Sequence, residues 1–515
     1  MGWNLLSLSL SLALFVIAGY LVGIVIAIAI RPWRSNIGHI PGPCTISSSW
    51  LYGNMADLMF TENYGDNEFQ WQKMYGMTYR IKGCMGEDRL FSSDPLVFKA
   101  IFNNKIFDKH QWHLNTAGML FGENSLFAVR HGTHSQLRSV FNPAFSPGKI
   151  EQLVQVFQEI AHKASARLAD ECSSGPLRDV YEILQNAATD AVGEGNAMSS
   201  AKTKSSLVAD DVLVLFPVFL FQLAAKYLST SDMLSLRRYK KVMDQWSESL
   251  LNQKRENLQL GIEDNDLLSI VVEINEKAGD HPSRLTRQQI KDQIPSILVA
   301  GQDTTGNTTA FALYEFAKRP EWQERVRNEL LSVNGERRTA AAYDRLQLLN
   351  AHIKETSRLH SALPHTFREA LEDTIIPLSE PITTVDGRQI SVIPVKKGQV
   401  VYAGIASYHR NIDIWGEDAE IFDPLRWVDG RTDNIKGPTV GPYANLATFI
   451  GGPNVCLGWR FAILESQVIL AELLSKFRFE LDDSVVIRSS VAITLQPVSE
   501  KGVPHLPLRV TPLEG

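Results

Sequence analysis

The most constraining feature of this sequence is the short glycine-rich segment around Cys456. Residues 449–458 read Phe-Ile-Gly-Gly-Pro-Asn-Val-Cys-Leu-Gly, which fits the pattern F-x-x-G-x-x-x-C-x-G. Glycines let such a backbone turn tightly and approach a flat group closely, because no Cβ stands in the way. Backbone N–H groups and the N-terminus of a helix that begins near Leu457 are expected to lower the pKa of the thiol. A buried free cysteine in a glycine-rich loop is the competing interpretation.

This segment resembles the haem-binding loop of the cytochrome P450 superfamily. The resemblance covers nearly the whole chain, and some of its features are similar to those of fungal members. It implies that Cys456 is the axial ligand of a haem b iron, in the cysteine-ligated arrangement known in this family to favour O–O cleavage. The resemblance also implies that Phe449, Gly452 and Gly458 line the cofactor, with Phe449 shielding the sulfur. The implied activity is a monooxygenase that inserts one oxygen atom of O2 into a lipophilic small molecule.

Two further segments match the same family in the family's order. Residues 355–358 read Glu-Thr-Ser-Arg, which fits E-x-x-R and places Glu355 and Arg358 on one face of a helix. Arg426, in a Phe-Asp-Pro-Leu-Arg-Trp segment, resembles the third member of the family's buried ionic triad. A Glu–Arg pair at this spacing is by itself a common surface feature. The resemblance instead implies a structural network behind the cysteine loop.

Residues 300–305 resemble the family's helix on the oxygen side of the haem. They read Ala-Gly-Gln-Asp-Thr-Thr and lie in a stretch whose apolar residues follow helical spacing. Gly301 is expected to leave space for dioxygen, and the Thr304 hydroxyl to bond to the Ala300 carbonyl four residues back. Asp303 and Thr304 are then predicted to relay protons from solvent. An ordinary threonine pair on a helix surface is the alternative.

Three basic residues are predicted to bind the haem propionates. His134 and Arg138 lie four residues apart in a segment that resembles the family's propionate-binding helix, so they share one helix face. Arg368 resembles a second propionate-binding arginine. The chain departs from the family pattern at Asn454, where many relatives carry arginine. Because asparagine offers only neutral hydrogen bonds, one cationic contact is expected to be missing.

The N-terminus is the second strong constraint, since residues 1–30 contain no charged residue. Residues 5–30 are almost wholly apolar and long enough to span a bilayer core of about 30 Å as one helix. A cleaved signal peptide would have a basic start and a shorter apolar region. Arg31 and Arg34 follow, which favours a short lumenal segment at 1–4 and a cytoplasmic body. We expect a single-pass protein of the endoplasmic reticulum membrane.

The rest of the chain is predicted to form one haem-thiolate catalytic domain at 50–515, after a linker at 31–49 with a Pro-Gly-Pro hinge. Residues from about 130 to 365 have long helical patterns, and residues 373–405 alternate as β-strands do. The fold class is therefore mainly α with a minor β part, a cytochrome P450 fold preceded by one N-terminal transmembrane helix. It is not a doubly wound α/β array.

Charge and composition narrow the expected partners. A formal net charge of −6 over 515 residues gives no reason to expect nucleic acid. Four widely spaced cysteines are too few for a disulfide framework or a zinc site. The chain has no glycine-rich phosphate loop within a Rossmann pattern. Electrons are therefore expected from NADPH through a separate cytochrome P450 reductase, with O2, membrane lipid and a lipophilic substrate as further partners.

Substrate identity depends on a set of positions at which the family binds its substrates, namely Leu120, Phe121, Ile297, Phe367 and Leu495. Their apolar character indicates a lipophilic substrate, and we favour a terpenoid or other secondary metabolite over a fatty acid or sterol. A haem-thiolate isomerase or dehydratase that does not use O2 is a second hypothesis, against which Asp303 and Thr304 argue. A haem sensor without turnover is a third.

Two other segments each have two possible interpretations. The apolar stretch 216–221 is either core or a segment that dips into a membrane surface. Asn307-Thr308-Thr309 fits the glycosylation pattern but falls within a predicted helix, so we interpret it as a false match.

Overall fold

The structure is a computed structural model of the chain. It describes residues 15, 18–20, 22–30, 35–44, 50–173, 175, 177–192, 223, 226–262, 266–279, 284–333, 339–433, 435 and 437–513. Residues 1–14 and the apolar stretch 216–221, both interpreted above from sequence, lie outside these ranges.

Helices dominate the described chain, which confirms the predicted mainly helical class. In chain order, α1 to α17 are Met55–Met59, Glu68–Tyr75, Pro95–Asn103, Gln111–Phe121, His131–Phe141, Pro147–Gln152, Val154–Cys172, Val180–Val192, Ser231–Leu260, Leu267–Lys277, Arg287–Ala317, Pro320–Ser332, Ala340–Asp344, Gln347–Leu359, Ile405–Tyr408, Ile412–Trp415 and Trp459–Lys476. Short 3-10 turns lie at Cys84–Gly86, Asn142–Phe145, Pro424–Trp427, Ala447–Phe449 and Gly452–Asn454.

Within the described residues, the β part is small and divided among four sheets. In chain order, β1 to β12 are Thr78–Lys82, Asp88–Ser92, Phe107–Asp108, Leu177–Asp179, His365–Ala370, Thr374–Thr383, Gln389–Val395, Val400–Gly404, Phe477–Glu480, Arg488–Val491, Leu495–Val498 and Pro507–Pro512. The largest sheet has the order β1-β2-β8-β5-β3, in which only β2 and β8 pair in parallel. The others are β4-β12-β9 and the hairpins β6-β7 and β10-β11.

The long helix α11 organises the core. It begins with a capping box, in which the Thr286 side chain accepts from the Gln289 N–H and the Gln289 side chain accepts from the Thr286 N–H. Along its length α11 packs against α8, α14 and α17, whose buried apolar residues belong to the same large hydrophobic cluster. This central position brings the predicted relay residues of α11 into the interior of the fold.

The segment before the first labelled helix packs onto the body. Asn36 Nδ2 donates to the Pro394 carbonyl at 2.6 Å, and the Val385 N–H donates to the His39 carbonyl at 2.8 Å. Within the predicted hinge, the Arg80 N–H donates to the Pro41 carbonyl at 2.8 Å. The folded body of the protein therefore already includes these residues, ahead of position 50.

The N-terminal apolar run is only partly described. Residues 22–30 are helical and largely exposed. Among the residues that the structure describes, no helix combines the length and the apolar character needed to cross a bilayer. Residues 15 and 18–20 of the predicted membrane span are also described as helical, and the remaining residues of the span fall outside the described ranges.

Candidate functional site

The loop around Cys456 includes the 3-10 turn Gly452–Asn454 and lies between the turn Ala447–Phe449 and α17. Backbone hydrogen bonds within this loop fix its conformation. The Cys456 N–H donates to the Phe449 carbonyl at 2.8 Å, and the Val455 N–H donates to the Gly452 carbonyl at 3.0 Å. Gly452 has a φ of +67°, and a Cβ on it would overlap the Phe102 carbonyl at the end of α3. The glycine is therefore required by the neighbouring backbone, a reason that differs from the expected approach of a flat group.

The electrostatic setting of Cys456 differs from the prediction. The side chain is accessible, yet enough protein surrounds the sulfur that desolvation raises the pKa of the thiol. A hydrogen bond from the Gly458 N–H and the nearby charge of Arg138 lower the pKa, but by less. The predicted lowering by backbone N–H groups is present, but burial outweighs it, so the pKa of the thiol is raised where the sequence predicted a fall. A coordinating metal cation, which deprotonates a thiol ligand, would reverse this balance.

Arg138 connects α5 to the cysteine loop. Its Nη1 donates to the Val455 carbonyl at 2.9 Å, one residue before the cysteine. Desolvation lowers the pKa of this guanidinium, and the neighbouring Cys456 raises it. Arg138 therefore holds the loop directly, in addition to the propionate contact that the sequence predicts.

The predicted basic residues gather in one cluster with two that sequence reasoning missed. His134 is half-buried, and its pKa falls to about 4 because of desolvation and the positive charges of Lys109, Arg138 and Arg368. The pKa of Lys109 falls to about 8, mainly by desolvation, with Asp108 raising it and Arg368 and Arg130 lowering it. We call His134, Arg138, Arg368, Lys109 and Arg130 the basic cluster.

Arg368 shows that this cluster fits an anionic group. Its side chain is buried, and desolvation lowers its pKa to about 10 against the opposing effect of Asp108. Nη1 reaches only neutral oxygens, on Thr366 at 3.3 Å and the Phe367 carbonyl at 2.7 Å, and Nε has no partner in the described part of the chain. A buried guanidinium in this state suits a carboxylate ligand. The donor set therefore fits the propionates of a haem bound through Cys456.

Lys109 and Arg130 carry no recognisable motif. Lys109 follows β3 and donates to the Leu126 carbonyl at 2.5 Å and to the Val129 carbonyl at 3.0 Å. Arg130 precedes α5 and donates to the Lys109 carbonyl. Arg130 directly precedes the helix that carries His134, whereas Lys109 lies before α4, and no sequence signal marked Lys109.

The relay segment, residues 300–305 of α11, has the predicted local geometry. Thr304 Oγ1 donates to the Ala300 carbonyl at 2.6 Å. Asp303 is half-buried, and desolvation raises its pKa to about 6. Desolvation raises the pKa of Tyr181 and Tyr239, and the charge of Asp303 raises the pKa of both further, so both phenols lie near it. These tyrosines are further neighbours that sequence reasoning missed.

Gly301 has a different role from the one predicted. A Cβ at Gly301 would overlap the Val192 side chain at the end of α8. A Cβ at Gly306 would likewise press on Gln185, farther back along α8. The two glycines allow α8 and α11 to approach closely, so the expectation that Gly301 makes space for dioxygen is corrected. Sequence alone did not show which helix would face it.

The predicted ionic triad forms and is fully buried. Arg358 donates to Glu355 through Nε at 2.9 Å and Nη2 at 2.7 Å, and Arg426 Nε donates to the same carboxylate at 3.0 Å. Trp427 Nε1 and the Asp423 N–H also donate to it, each at 2.9 Å. Glu355 therefore has its acceptor capacity filled by charged and neutral donors.

Most of the remaining donors of the triad bind backbone carbonyls, and Arg426 also pairs with the Asp418 carboxylate at 3.2 Å. Arg358 donates to the carbonyls of His409 and Ala419, each at 2.5 Å. Arg426 donates to the carbonyls of Trp415 at 3.2 Å and Asp418 at 3.0 Å. The triad thus fastens the irregular chain that precedes the cysteine loop.

The predicted substrate-pocket residues differ in how much surface they leave for a ligand. Three are partly exposed on helices, and the other two are packed against protein side chains. Leu120, Phe121 and Ile297 are half-buried on α4 and α11. Phe367 stacks on Trp112 with ring centroids 4.9 Å apart, whereas Leu495 is 3% exposed within a hydrophobic cluster and has little surface left for a ligand.

Asn307 is buried within α11, where it contacts one polar side chain of α8 and one of the turn between β10 and β11. Gln185 Nε2 donates to it at 2.8 Å, and its Nδ2 donates to Thr494 at 2.9 Å. The glycosylation match is therefore false, as predicted.

Comparisons with known proteins agree over most of the chain. The sequence profile of the family described as Cytochrome P450 matches residues 43–500. Cytochrome P450 monooxygenase 205 of Postia placenta is 30% identical, with 95% of this chain and 94% of the relative aligned. Cytochrome P450 monooxygenase 91 of the same fungus is 28% identical over 93% and 94%. Cytochrome P450 monooxygenase claP of Ampulloclitocybe clavipes is 26% identical over 92% and 91%.

Proposed function

The chain belongs to the cytochrome P450 family, and from this premise we propose that it is a haem-thiolate monooxygenase acting on a lipophilic small molecule. One observation carries the proposal. The accessible Cys456 and the basic cluster share Arg138, which bonds to the loop backbone and interacts electrostatically with both. A haem needs an axial ligand for its iron and cations for its propionate carboxylates, and this site offers a thiol and a set of basic side chains for these two purposes.

In this proposal, haem held by a thiolate supplies the reductive activation of O2. Cys456 binds the iron, while the Gly458 N–H and Arg138 stabilise the negative sulfur. Arg368, Arg138 and His134 hold the propionates, with Lys109 and Arg130 as further donors in place of an arginine at Asn454.

Asp303 and Thr304 are proposed to deliver protons. A carboxyl whose pKa lies near 6 can both bind and release a proton close to neutral pH. The Thr304 hydroxyl donates to the Ala300 carbonyl, so its oxygen remains available to accept a hydrogen bond from a water molecule. This arrangement supports an O2-dependent reaction over the isomerase and dehydratase hypothesis.

The redox partner and the substrate class follow from family membership and from the pocket positions. We propose that NADPH-cytochrome P450 reductase donates the electrons. We also propose that the substrate is a terpenoid or another secondary metabolite, because the relatives are fungal and the half-buried positions on α4 and α11 are apolar.

We propose that residues 5–30 anchor the protein in the endoplasmic reticulum membrane, with the catalytic domain cytoplasmic. Packing of residues 36–41 against β7 and β1 supports this geometry, because it fixes the point at which the apolar run meets the body. Treating membranes of expressing cells with alkaline carbonate tests the anchor: full-length protein should stay in the pellet and a chain lacking residues 1–30 should be released.

Isotope labelling tests the reaction itself. Membranes that contain the protein and a reductase would receive NADPH, ¹⁸O2 and a panel of lipophilic substrates, with products followed by mass spectrometry. We expect a product that carries one ¹⁸O atom and requires NADPH. A product that forms without NADPH or without the label would instead identify an isomerase or dehydratase.

A further inference from the structure

His409 links the ionic triad to the cysteine loop. It is fully buried, and its Nε2 accepts the Ala447 N–H at 3.0 Å. Ala447 opens the 3-10 turn Ala447–Phe449, whose last carbonyl accepts the Cys456 N–H at 2.8 Å. The Ile450 N–H closes the same turn onto the Ala447 carbonyl at 2.8 Å. Two backbone hydrogen bonds and one short turn therefore separate the imidazole from the cysteine.

The hydrogen bonds define the tautomer of His409. Because Nε2 accepts a backbone N–H, the ring proton must be on Nδ1. Nδ1 lies 3.0 Å from Ser361 Oγ, and that hydroxyl donates onward to the Ser357 carbonyl at 2.9 Å. Thr448, beside Ala447, donates to the same carbonyl at 2.8 Å. Both residues at the start of the turn are thus tied to α14, one through His409.

The surroundings keep His409 neutral. Desolvation lowers the pKa of the imidazole well below its usual value, and the charges of Arg358 and Arg410 lower it further. An imidazolium would present an N–H to the Ala447 N–H, so only the neutral ring fits this contact. The Arg358 guanidinium, by donating to the His409 carbonyl, also fixes the backbone that carries the ring.

We propose that His409 is a positioning residue for the thiolate, holding the cysteine loop through its Nε2 acceptor for the Ala447 N–H. The proposal rests on the proposed function, since it concerns how Cys456 is presented to the haem. The ionic triad reaches the loop through His409 rather than by touching it. Without the acceptor, the buried Ala447 donor lacks a partner and the turn is free to shift, which moves the cysteine backbone.

The test compares two substitutions at His409 with a matched control. His409→Met has no strong acceptor, whereas His409→Gln has an oxygen at similar reach. His352 is an equally buried histidine with two hydrogen bonds, to Trp322 at 3.1 Å and the Ala312 carbonyl at 2.9 Å, and it does not contact the loop. His352→Met therefore measures the general effect of removing a buried, hydrogen-bonded histidine on folding and on the Soret spectrum.

The readout is the ratio of the long-wavelength to the short-wavelength Soret band in the reduced, carbon-monoxide-treated protein. We expect this ratio to fall at least roughly five-fold in His409→Met, because a buried donor loses its acceptor. His409→Gln should recover most of it, and His352→Met should lower the yield while its folded fraction keeps the wild-type ratio. A wild-type ratio in His409→Met, or equal losses in Met and Gln, overturns the proposal.

A milder variant keeps the test decisive when His409→Met does not fold. Ser361→Ala removes the acceptor that selects the Nδ1–H tautomer, and Ser296→Ala removes another buried hydroxyl, bonded to the Gln293 carbonyl at 2.7 Å. In dilute urea the long-wavelength band should decay roughly three- to five-fold faster in Ser361→Ala than in Ser296→Ala. Equal decay overturns the role of His409. Absence of the band from the wild type would instead contradict the haem-thiolate assignment.

Discussion

The cysteine side and the relay segment differ in how completely their polar groups are paired. On the cysteine side, Glu355 accepts from two arginines, a tryptophan and a backbone N–H, and none of the three charged side chains of the triad is more than 1% exposed. In the relay segment, Asp303 is half-buried, and its pKa is raised by desolvation without a compensating donor among the residues that the structure describes. Complete pairing fixes geometry, whereas an incompletely paired acid can exchange protons.

The basic cluster is similar to the relay segment in this respect, because its polar groups are also incompletely paired. Arg368 is as buried as a structural arginine, yet it donates only to neutral oxygens and its Nε lacks a partner in the described ranges. Arg358, by contrast, has both a carboxylate and backbone carbonyls. Two buried arginines of one fold therefore have different purposes, one structural and one suited to a ligand.

The largest expected effect comes from breaking the triad. Glu355→Gln leaves the buried Arg358 without its carboxylate and Arg426 with only the Asp418 carboxylate at 3.2 Å, which costs about 3–5 kcal/mol of the free energy of unfolding. Glu324 pairs with Arg327 at the same spacing on a helix but is half exposed, so Glu324→Gln should cost less than about 1 kcal/mol. Urea unfolding followed by circular dichroism measures both. Similar losses in the two variants would show that burial of the triad is unimportant.

The second effect concerns turnover in the relay segment. Asp303→Asn should lower substrate-dependent product formation by about 10²-fold, because proton delivery by a positioned acid contributes on that scale. The Soret spectrum should stay that of the wild type, since Asp303 bonds to nothing in the cysteine loop. Asp303→Glu keeps a titratable carboxyl and should lose less than about ten-fold. Unchanged turnover in the Asn variant would remove Asp303 from the proposed relay.

The third expected effect, on haem retention, distinguishes the ligand-binding Arg368 from the structural Arg358. Arg368→Gln removes a buried cation that forms no ion pair within the described part of the chain, so haem should transfer to apomyoglobin roughly ten-fold faster or more. The free energy of unfolding of the haem-free protein should change little or increase. Loss of stability without faster haem transfer would mean that Arg368 is structural, as Arg358 is.

The smallest effect is a pH dependence. The pKa of Asp303 rises from its ordinary range to about 6 on folding, so its contribution to stability is complete below the unfolded pKa, near 4, and is lost as pH rises through 6. Compared with Asp303→Asn, the wild type should lose roughly 1–2 kcal/mol between pH 4 and pH 7, after discounting for partial exposure. Urea midpoints across that window measure the difference. Parallel curves would contradict a raised pKa.

Local spacing made much of the site predictable from sequence. The three-residue spacing of Glu355 and Arg358 and the four-residue spacing of Ala300 and Thr304 put partners within reach whenever a helix forms. Both hydrogen bonds are present in the structure. The mainly helical class followed in the same way, because long segments with helical periodicity needed no knowledge of their neighbours.

Features that depend on tertiary packing could not be predicted. Lys109 and Arg130 join the basic cluster because the residue after β3 lies beside the start of α5, where Arg130 donates to the Lys109 carbonyl, and the role of Gly301 depends on which helix faces it. The raised pKa of Cys456 reflects the number of protein atoms around the sulfur, which no spacing rule reports. His409 acquires its role from a backbone N–H nearly forty residues away.

The central claim is that Cys456 binds haem iron as a thiolate, and the Soret band of the reduced, carbon-monoxide-treated protein tests it most directly. The wild type should show the long-wavelength band of thiolate ligation. Cys456→Ser should lose that band, whereas Cys172→Ser, at a half-buried cysteine outside the loop, should retain it. A wild type without the band, or a Cys456→Ser variant that keeps it, would contradict the account.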